Sequence, residues 1–196
     1  MKSRGVPITF GMRFLSSLAR MMVIPIIPLF IKLLDVDPNN LNSFTGLMMG
    51  VSSAATTLSA VYFGRLGDRI GHRKILISCS LFAGLLYIPQ ALVVSGWQLM
   101  IFQILGGIAT GGVIPTISAL LANYTKHGVE GAVYGLDNSV NAAGRAVAPM
   151  LGALVATSFG FRATFPATGL VFLIAVAAGI LFLPKTNHLP ADPETI

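Results

Sequence analysis

Charged residues are scarce in this chain of 196 residues: they make up 10% of it, whereas hydrophobic residues make up 54%. An ordinary soluble domain carries about 25% charged residues. The polar side chains are therefore too few to cover a water-exposed surface of this size. The composition predicts a membrane protein whose surface mostly faces the lipid bilayer.

Cysteine and histidine are also scarce, and their positions exclude several kinds of site. The single cysteine, Cys79, lies inside an apolar run, which excludes a disulfide or a cysteine metal site within one chain. His72, His127 and His188 fall in loops or the tail, so no buried histidine relay or metal cluster is indicated. The chain has no GxxxxGK[ST] phosphate loop and no catalytic triad pattern at membrane depth. We therefore expect no enzyme, no cofactor and no metal.

Acidic residues are fewer than basic ones, and the formal net charge is +6. Such a balance can indicate nucleic-acid binding. Here the basic residues lie at the ends of apolar segments and form no stripe with interleaved aromatic residues. We therefore expect no nucleic-acid partner.

Six apolar segments are long enough to cross a bilayer, for which about 20 residues are needed. They cover roughly residues 11–33, 44–65, 74–94, 97–121, 131–157 and 164–183. This pattern predicts an all-α transmembrane domain over residues 1–185, followed by a polar cytoplasmic tail over 186–196. The start has no small-residue cleavage site after its apolar run, so we interpret it as a retained first helix.

Lysine and arginine are distributed unevenly between the two sides of these segments. One side holds Lys2, Arg4, Arg65, Arg69, Arg73, Lys74, Lys126 and Lys185. The other side holds Lys32 and Arg162. Because cytoplasmic loops carry the excess of basic residues, we expect a multi-pass plasma-membrane protein with both termini in the cytoplasm.

Small residues recur at four-residue spacing in two of the segments. They are Gly107 and Gly111 in the fourth segment, and Gly144, Ala148 and Gly152 in the fifth. Such faces let helix backbones approach closely in lipid, so we interpret them as packing surfaces rather than as substrate contacts. Pro149 lies within the second of these faces and is expected to loosen its helix.

Three charged residues lie at membrane depth, where a charge is costly and indicates a functional site. Arg20 lies roughly 13 Å into the first segment, and Asp137 and Arg145 lie in the fifth. Asn141 lies midway between these two at four-residue spacing, so the three share one helix face. Asn138 flanks that face. The stripe must face a water-filled cavity or a polar partner, and it is a candidate substrate or proton pathway.

The sequence leaves the roles of these residues open. Asp137 is either an acid near a helix start, satisfied by water and the helix dipole, or a titrating site. Arg20 and Arg145 outnumber the acids at membrane depth, so their partner is a substrate or another polypeptide. Gln103 in the fourth segment is a further pathway candidate, although a hydrogen bond to a neighbouring helix explains it more simply.

The charged stretch between the second and third segments reads GRLGDRIGHRKIL over residues 64–76. It resembles motif A of the major facilitator superfamily, Gly-x-Leu-Ala-Asp-Arg-x-Gly-Arg-Lys-x-x-Leu, and lies where that family has it. The resemblance implies that Asp68 caps the start of the third helix and pairs with nearby arginines. It implies a conformational latch on the cytoplasmic side, formed by Gly64, Asp68, Arg69, Gly71 and Arg73.

Three further stretches are similar to patterns of the same family. Residues 103–115 resemble its fourth-helix pattern, with Gln103 where an arginine often stands. Residues 144–152 resemble the Gly-Pro antiporter motif of the fifth helix, with Ala148 in place of glycine. Residues 160–165 resemble the Gly-Phe-Arg start of the last helix. Together they resemble the C-terminal halves of bacterial multidrug efflux proteins of the proton antiporter type.

The resemblance implies one half of a major facilitator fold, made of two inverted three-helix repeats. It implies a secondary transporter that exports small hydrophobic drug-like molecules against proton entry. The chain would work with a second six-helix half, either another copy or a separate chain. Two alternatives stay open: a truncated fragment or assembly subunit that does not transport, and a transporter of a sugar or organic anion, which Arg20 and Arg145 would suit.

Overall fold

The structure is a computed structural model that describes residues 5–34, 37–125 and 128–183. All of the regular structure within these ranges is helical. Several expectations concern residues outside them: the tail over 186–196, the basic residues Lys2, Arg4, Lys126 and Lys185, and the histidines His127 and His188.

Eight α-helices form six long helical runs in the described residues. They are α1 (Gly5–Val23), α2 (Ile26–Ile31), α3 (Leu41–Ile70), α4 (His72–Gln90), α5 (Gly96–Gly111), α6 (Val113–Tyr124), α7 (Glu130–Phe159) and α8 (Thr164–Phe182). Short 3-10 turns at Pro38–Asn40 and Phe161–Ala163 precede α3 and α8. The first run consists of α1 and α2, and the fourth consists of α5 and α6.

Five of the six runs are long and apolar enough to cross a membrane: Gly5–Ile31, Leu41–Ile70, Gly96–Tyr124, Glu130–Phe159 and Phe161–Phe182. The remaining run, α4, begins with a charged turn that contains Arg73 and Lys74 and ends in Pro89-Gln90. Its 19 residues extend over about 28 Å, close to the thickness of a hydrocarbon core of about 30 Å.

Prolines explain the two breaks within the runs. Neither Pro25 nor Pro28 has a backbone N–H, so α1 ends at Val23 and the chain restarts as α2. Pro115 likewise cannot donate to the carbonyl of Gly111, which is the last residue of α5.

The first helix begins earlier than the apolar pattern predicted. It starts at Gly5, and a Cβ atom at this position would lie 2.8 Å from the ring of Tyr124. The side of α1 at Gly5 therefore packs against the end of α6. Since α1 starts at Gly5, Arg20 lies about 22 Å along it rather than roughly 13 Å.

The junction of α3 and α4 also differs from the expected loop. Helix α3 continues through the charged residues to Ile70, and α4 begins at His72. Arginine, leucine and isoleucine tolerate a helix well, so the chain turns at a single residue, Gly71, whose φ of 103° favours glycine. Motif A is therefore a helix-glycine-helix junction.

The helix contacts show an internal symmetry. The first, second and third runs make the same contacts as the fourth, fifth and sixth runs, respectively. Helix α3 packs on α5, and α7 packs on α1 in the equivalent way. Helix α1 packs on α8, and α4 packs on α5 and α6. The pair α4–α8 is its own counterpart. This symmetry confirms the predicted half-fold of two three-helix repeats.

Glycines lie where the helix backbones approach most closely. A Cβ atom on Gly107 would lie 2.6 Å from the Ser52 carbonyl oxygen on α3, and one on Gly144 would lie 2.8 Å from that of Phe14 on α1. Gly111 faces α3 and Gly152 faces α1 in the same manner. A side chain at any of these positions would push the two helices apart.

Two further glycines, which the spacing did not indicate, lie at the crossing of α4 and α8. A Cβ atom on Gly169 would lie 2.7 Å from the Gly84 carbonyl oxygen, and one on Gly84 would lie 3.2 Å from that of Gly169. The two helices of the symmetric pair therefore touch backbone to backbone.

Candidate functional site

The centre of the site is an ion pair between α1 and α7. Nη2 of Arg13 lies 2.8 Å from Oδ2 of Asp137, and their side chains are 10% and 3% exposed. Arg13 lies about 12 Å from the start of α1, because that helix begins at Gly5. Sequence reasoning missed Arg13, since the first helix was expected to begin near residue 11. The spacing of Arg13, Ser17 and Arg20 on one helix face could have found it.

The α7 stripe reaches α1 through two of its members. Asp137 pairs with Arg13, and Oδ1 of Asn141 accepts a hydrogen bond from the Ser17 hydroxyl. Arg145 is exposed beside them and lines a cavity, whereas Asn138 is exposed and lines neither of the two cavities described next. The stripe therefore contacts α1 at Asp137. Further along α7, at Arg145, it forms part of a cavity wall.

Two cavities of the six-helix bundle meet at Arg20. The first has a volume of about 150 Å³ and lies between α1, α6 and α7. We call it the arginine cavity; its polar lining consists of Arg13, Ser16, Ser17, Arg20, Asn141 and Arg145. The second has a volume of about 180 Å³ and lies between α1, α3, α4 and α5. We call it the methionine cavity.

The methionine cavity combines an apolar wall with polar groups. Ile24, Ile27, Met48 and Met49 form its apolar side. Arg20, Ser52, Ser53, Thr56, Tyr87, Gln103 and Thr110 form its polar side. Such a mixture suits an amphipathic molecule, because the apolar body and the polar group each find a matching surface.

Gln103 on α5 forms a hydrogen bond to a neighbouring helix, α4. Its Nε2 donates to Oε1 of Gln90 at 3.2 Å, and Gln90 is fully buried and donates to the Leu86 carbonyl. Gln103 also lines the methionine cavity, so packing and solute contact are compatible at this position.

Positive charge exceeds negative charge in the site. Arg13 and Arg145 lie within electrostatic reach of Arg20, and all three line the arginine cavity. The carboxylate that pairs with this lining is Asp137. Among the described residues, no salt bridge joins Arg20 to a carboxylate. The cavity therefore attracts anions and repels cations.

The motif A residues lie at the end of the bundle where α3 meets α4. Nε2 of His72 lies 3.2 Å from Oδ1 of Asp68, whose side chain is 72% exposed. Asp68 does not cap α4, because α3 continues past it and places the carboxylate one turn before His72. Arg69 is exposed, and Arg73 donates to the Ile180 carbonyl at 3.0 Å instead of pairing with Asp68. Gly64 packs beside Pro115.

Arg162 is the counterpart of Arg73 at the opposite end of the bundle. Each arginine lies two residues after a glycine with positive φ, Gly71 or Gly160, that ends a 30-residue helix. Arg73 donates to the C-terminal turn of α8, and Arg162 donates to the carbonyls of Ala91 and Val93 after α4 at 2.7 and 2.9 Å. A Gly-x-Arg unit thus links α4 to α8 by hydrogen bonds at each end of this helix pair.

Spanning helices in two equivalent repeats, with cavities lined by arginines, define a multi-pass membrane protein with a polar interior. Secondary transporters have this architecture. The family model of the Major Facilitator Superfamily matches residues 9–195, and the chain belongs to that superfamily.

Curated relatives and a solved structure agree with this membership. The chain is 35% identical over 166 residues to the multidrug resistance protein MdtG of Dickeya zeae (strain Ech586), which covers 85% of the chain and 41% of the relative. It is 37% identical over 151 residues to MdtG of Serratia proteamaculans (strain 568), covering 77% and 37%. The chain therefore spans about two fifths of the length of these relatives.

The crystal structure of the human organic anion transporter MFSD10 (TETRAN) has the same fold. It superposes with a TM-score of 0.77 over 93% of this chain and 48% of that protein, at 19% sequence identity. The six helices thus correspond in extent to about one half of a major facilitator protein.

Proposed function

We propose that this chain forms one six-helix half of a major facilitator transporter that exports drug-like compounds, and that its two cavities are this half's share of the substrate path. One observation carries the proposal: Arg20, a charged side chain deep in the first span, lines both cavities. A charge at that depth is costly unless a solute or a partner uses it.

The proposed substrates are amphipathic organic anions. Three arginines line or border the substrate path, and the carboxylate that faces them is Asp137. A drug cation would meet net repulsion there, whereas a carboxylate, sulfonate or phosphonate can bind a guanidinium fork. The apolar wall at Met48 and Met49 would hold the body of the molecule. Proton coupling is part of this proposal, with Asp137 as the acid.

The proposed orientation places the α3–α4 junction and both termini in the cytoplasm. Arg65, Arg69, Arg73 and Lys74 cluster at this junction, whereas Lys32 and Arg162 lie at the other end of the bundle. We propose that Asp68 and its neighbours in motif A form a latch against a second six-helix half. That half is either another copy of this chain or a separate chain.

Flux measurements in proteoliposomes containing the full chain test this function. The probes share one aromatic body: naphthalene-1-sulfonate carries a negative charge, and 1-naphthylmethylammonium carries a positive one. We expect flux of the sulfonate that depends on the protein and falls at least tenfold in Arg20→Gln, with little flux of the ammonium compound. Preferred flux of the cation would contradict the proposed substrate class.

A second candidate is an assembly subunit that binds a partner half and does not transport. The largely uncovered helices α3 and α7 favour it, since only 17% and 22% of their apolar windows are buried. A chain that assembles with a second half and still moves neither probe would support this candidate and remove the transport proposal.

A further inference from the structure

Three hydroxyl groups that line the methionine cavity on α3 and α5 donate their protons to helix carbonyls. Oγ of Ser52 donates to the Gln103 carbonyl at 2.8 Å, and Oγ1 of Thr56 donates to the Ser52 carbonyl at 2.8 Å. Oγ1 of Thr110 donates to the Gly106 carbonyl at 2.9 Å. A hydroxyl has one proton and two lone pairs. Towards a ligand, each of these groups can therefore only accept a hydrogen bond.

Gln103 adds a fourth acceptor, because two hydrogen bonds fix the orientation of its amide. Nε2 of Gln90 donates to the Leu86 carbonyl at 3.2 Å, and a carbonyl can only accept, so Oε1 of Gln90 faces Gln103. That oxygen accepts from Nε2 of Gln103 at 3.2 Å. In the part of the chain that the structure describes, no group donates to Oε1 of Gln103, which is half-buried and lines the cavity. We call this set the acceptor wall: Ser52, Thr56, Gln103 and Thr110.

The cavity has the opposite character at Arg20, whose guanidinium carries donors and no acceptor. The hydroxyl of Tyr87 lies within electrostatic reach of Arg20, and the Tyr87 ring is stacked on Phe172 with 5.8 Å between the ring centroids. The last polar lining residue, Ser53, is exposed, and its hydroxyl forms no hydrogen bond within the described residues, so it can donate or accept. One side of the cavity therefore suits an anion, and the acceptor wall suits a hydrogen-bond donor.

We propose that the methionine cavity selects organic anions that also carry a hydroxyl or N–H group. This inference rests on the function proposed above. The anionic group binds the Arg20 guanidinium, the apolar body lies along Met48 and Met49, and the donor group binds the acceptor wall.

The selectivity comes from the cost of leaving the acceptor wall unpaired. A ligand in the cavity displaces water from these oxygens, and polar groups that lose water without a new partner cost free energy. A ligand with a donor restores the hydrogen bond, whereas an anion of the same shape without a donor does not. Sites built to hydrogen-bond a ligand reject the analogue that lacks the group for this reason.

Three probes of equal charge and with the same aromatic body test this selectivity. The first, 5-hydroxynaphthalene-1-sulfonate, carries a donor. The second, 5-methoxynaphthalene-1-sulfonate, keeps the oxygen without its proton, and naphthalene-1-sulfonate lacks the oxygen. Titration calorimetry on the purified full chain in mild detergent measures the three affinities at neutral pH, where the hydroxyl keeps its proton. We expect the hydroxyl compound to bind about fivefold tighter than either of the others, the effect of one added hydrogen bond.

A variant of the acceptor wall and a matched control locate the contact. Ser52→Ala/Thr56→Val/Gln103→Leu removes the three half-buried acceptors, and the preference for the hydroxyl compound over the methoxy compound should fall to about twofold or less. Thr57→Val is the control. Thr57 follows Thr56 on α3 and makes the same type of bond, to the Ser53 carbonyl at 3.0 Å, but lies outside both cavities. This control should keep the full preference.

The outcomes distinguish this inference from the proposed function. Equal affinities for the hydroxyl and methoxy compounds overturn the selectivity and leave the proposed anion site unaffected. A preference that persists in the triple variant overturns the role of the acceptor wall. Failure of all three sulfonates to bind overturns the proposed function itself. The comparison of the probes uses the unmodified chain, so it decides the question even where the triple variant does not fold.

Discussion

Arg13 and Asp137 depend on each other for stability because both side chains are largely buried, at 10% and 3% exposed. Removing one partner of a buried pair leaves an uncompensated charge and costs about 3–5 kcal/mol, whereas replacing both with apolar residues is often neutral. We expect Arg13→Leu to lower the unfolding temperature of the detergent-solubilised chain by several degrees. The double variant Arg13→Leu/Asp137→Leu should recover most of that loss.

The control for this comparison of single and double variants is Arg65→Leu, which removes an exposed arginine near the end of α3. Exposed substitutions away from specific contacts change stability by about 0.5 kcal/mol or less. A double variant whose loss equals the sum of the two single losses would show that Arg13 and Asp137 are not coupled.

The close approach of α7 to α1 depends on Gly152. Gly135, which is also on α7, serves as the comparison. A Cβ atom on Gly152 would lie 3.2 Å from the Met22 carbonyl carbon, whereas one on Gly135 would meet no atom within 4 Å. Gly152→Ala should therefore lower stability by about 1–3 kcal/mol through overpacking. Gly135→Ala should raise it by up to about 1 kcal/mol, because alanine favours a helix. Thermal unfolding that rises in both variants would contradict the close packing.

The Gly-x-Arg units at the two ends of α4 and α8 allow a reciprocal test. Arg73→Gln removes a donor to the last turn of α8, and Arg162→Gln removes donors to the carbonyls after α4. Each lost bond is expected to cost about 1 kcal/mol, or roughly fivefold faster amide exchange in the helix end it supports. Hydrogen exchange should rise at α8 in the first variant and at α4 in the second. Equal rises at both ends would contradict a local role.

The apolar pattern predicted the helical runs because bilayer thickness fixes how many apolar residues a span needs. It could not give the pairing of the helices, which depends on contacts between residues far apart in sequence. The stripe at Asp137 was predicted, whereas Arg13 was missed because the first helix was expected to begin near residue 11 and begins at Gly5. The α3–α4 junction was misread because charged residues indicate a loop in a membrane sequence, although they also form helices well.

The six-helix unit leaves two of its helices largely uncovered. In α3 and α7, 17% and 22% of the most apolar window is buried, compared with 39–61% in the other three candidate spans. A second half would cover these helices. When a second copy supplies the missing half, we expect a dimer whose protein mass is twice that of the 20.6 kDa chain. Light scattering in mild detergent measures the mass, and a strict monomer would require a separate partner chain.

The proposed latch at motif A acts only where a second half is present, so its test is transport rather than folding. The Asp68 side chain is 72% exposed at its contact with His72, and ion pairs of exposed carboxylates contribute about 0–1 kcal/mol to stability. Asp68→Asn should therefore insert into the membrane as the unmodified chain does. We expect it to lower the flux of naphthalene-1-sulfonate at least fivefold, because the closed arrangement of the two halves loses a charged contact. Asp37→Asn, an acid outside motif A, should retain the flux. Unchanged flux in Asp68→Asn would refute the latch and leave the arginines of the junction with their role in orientation alone.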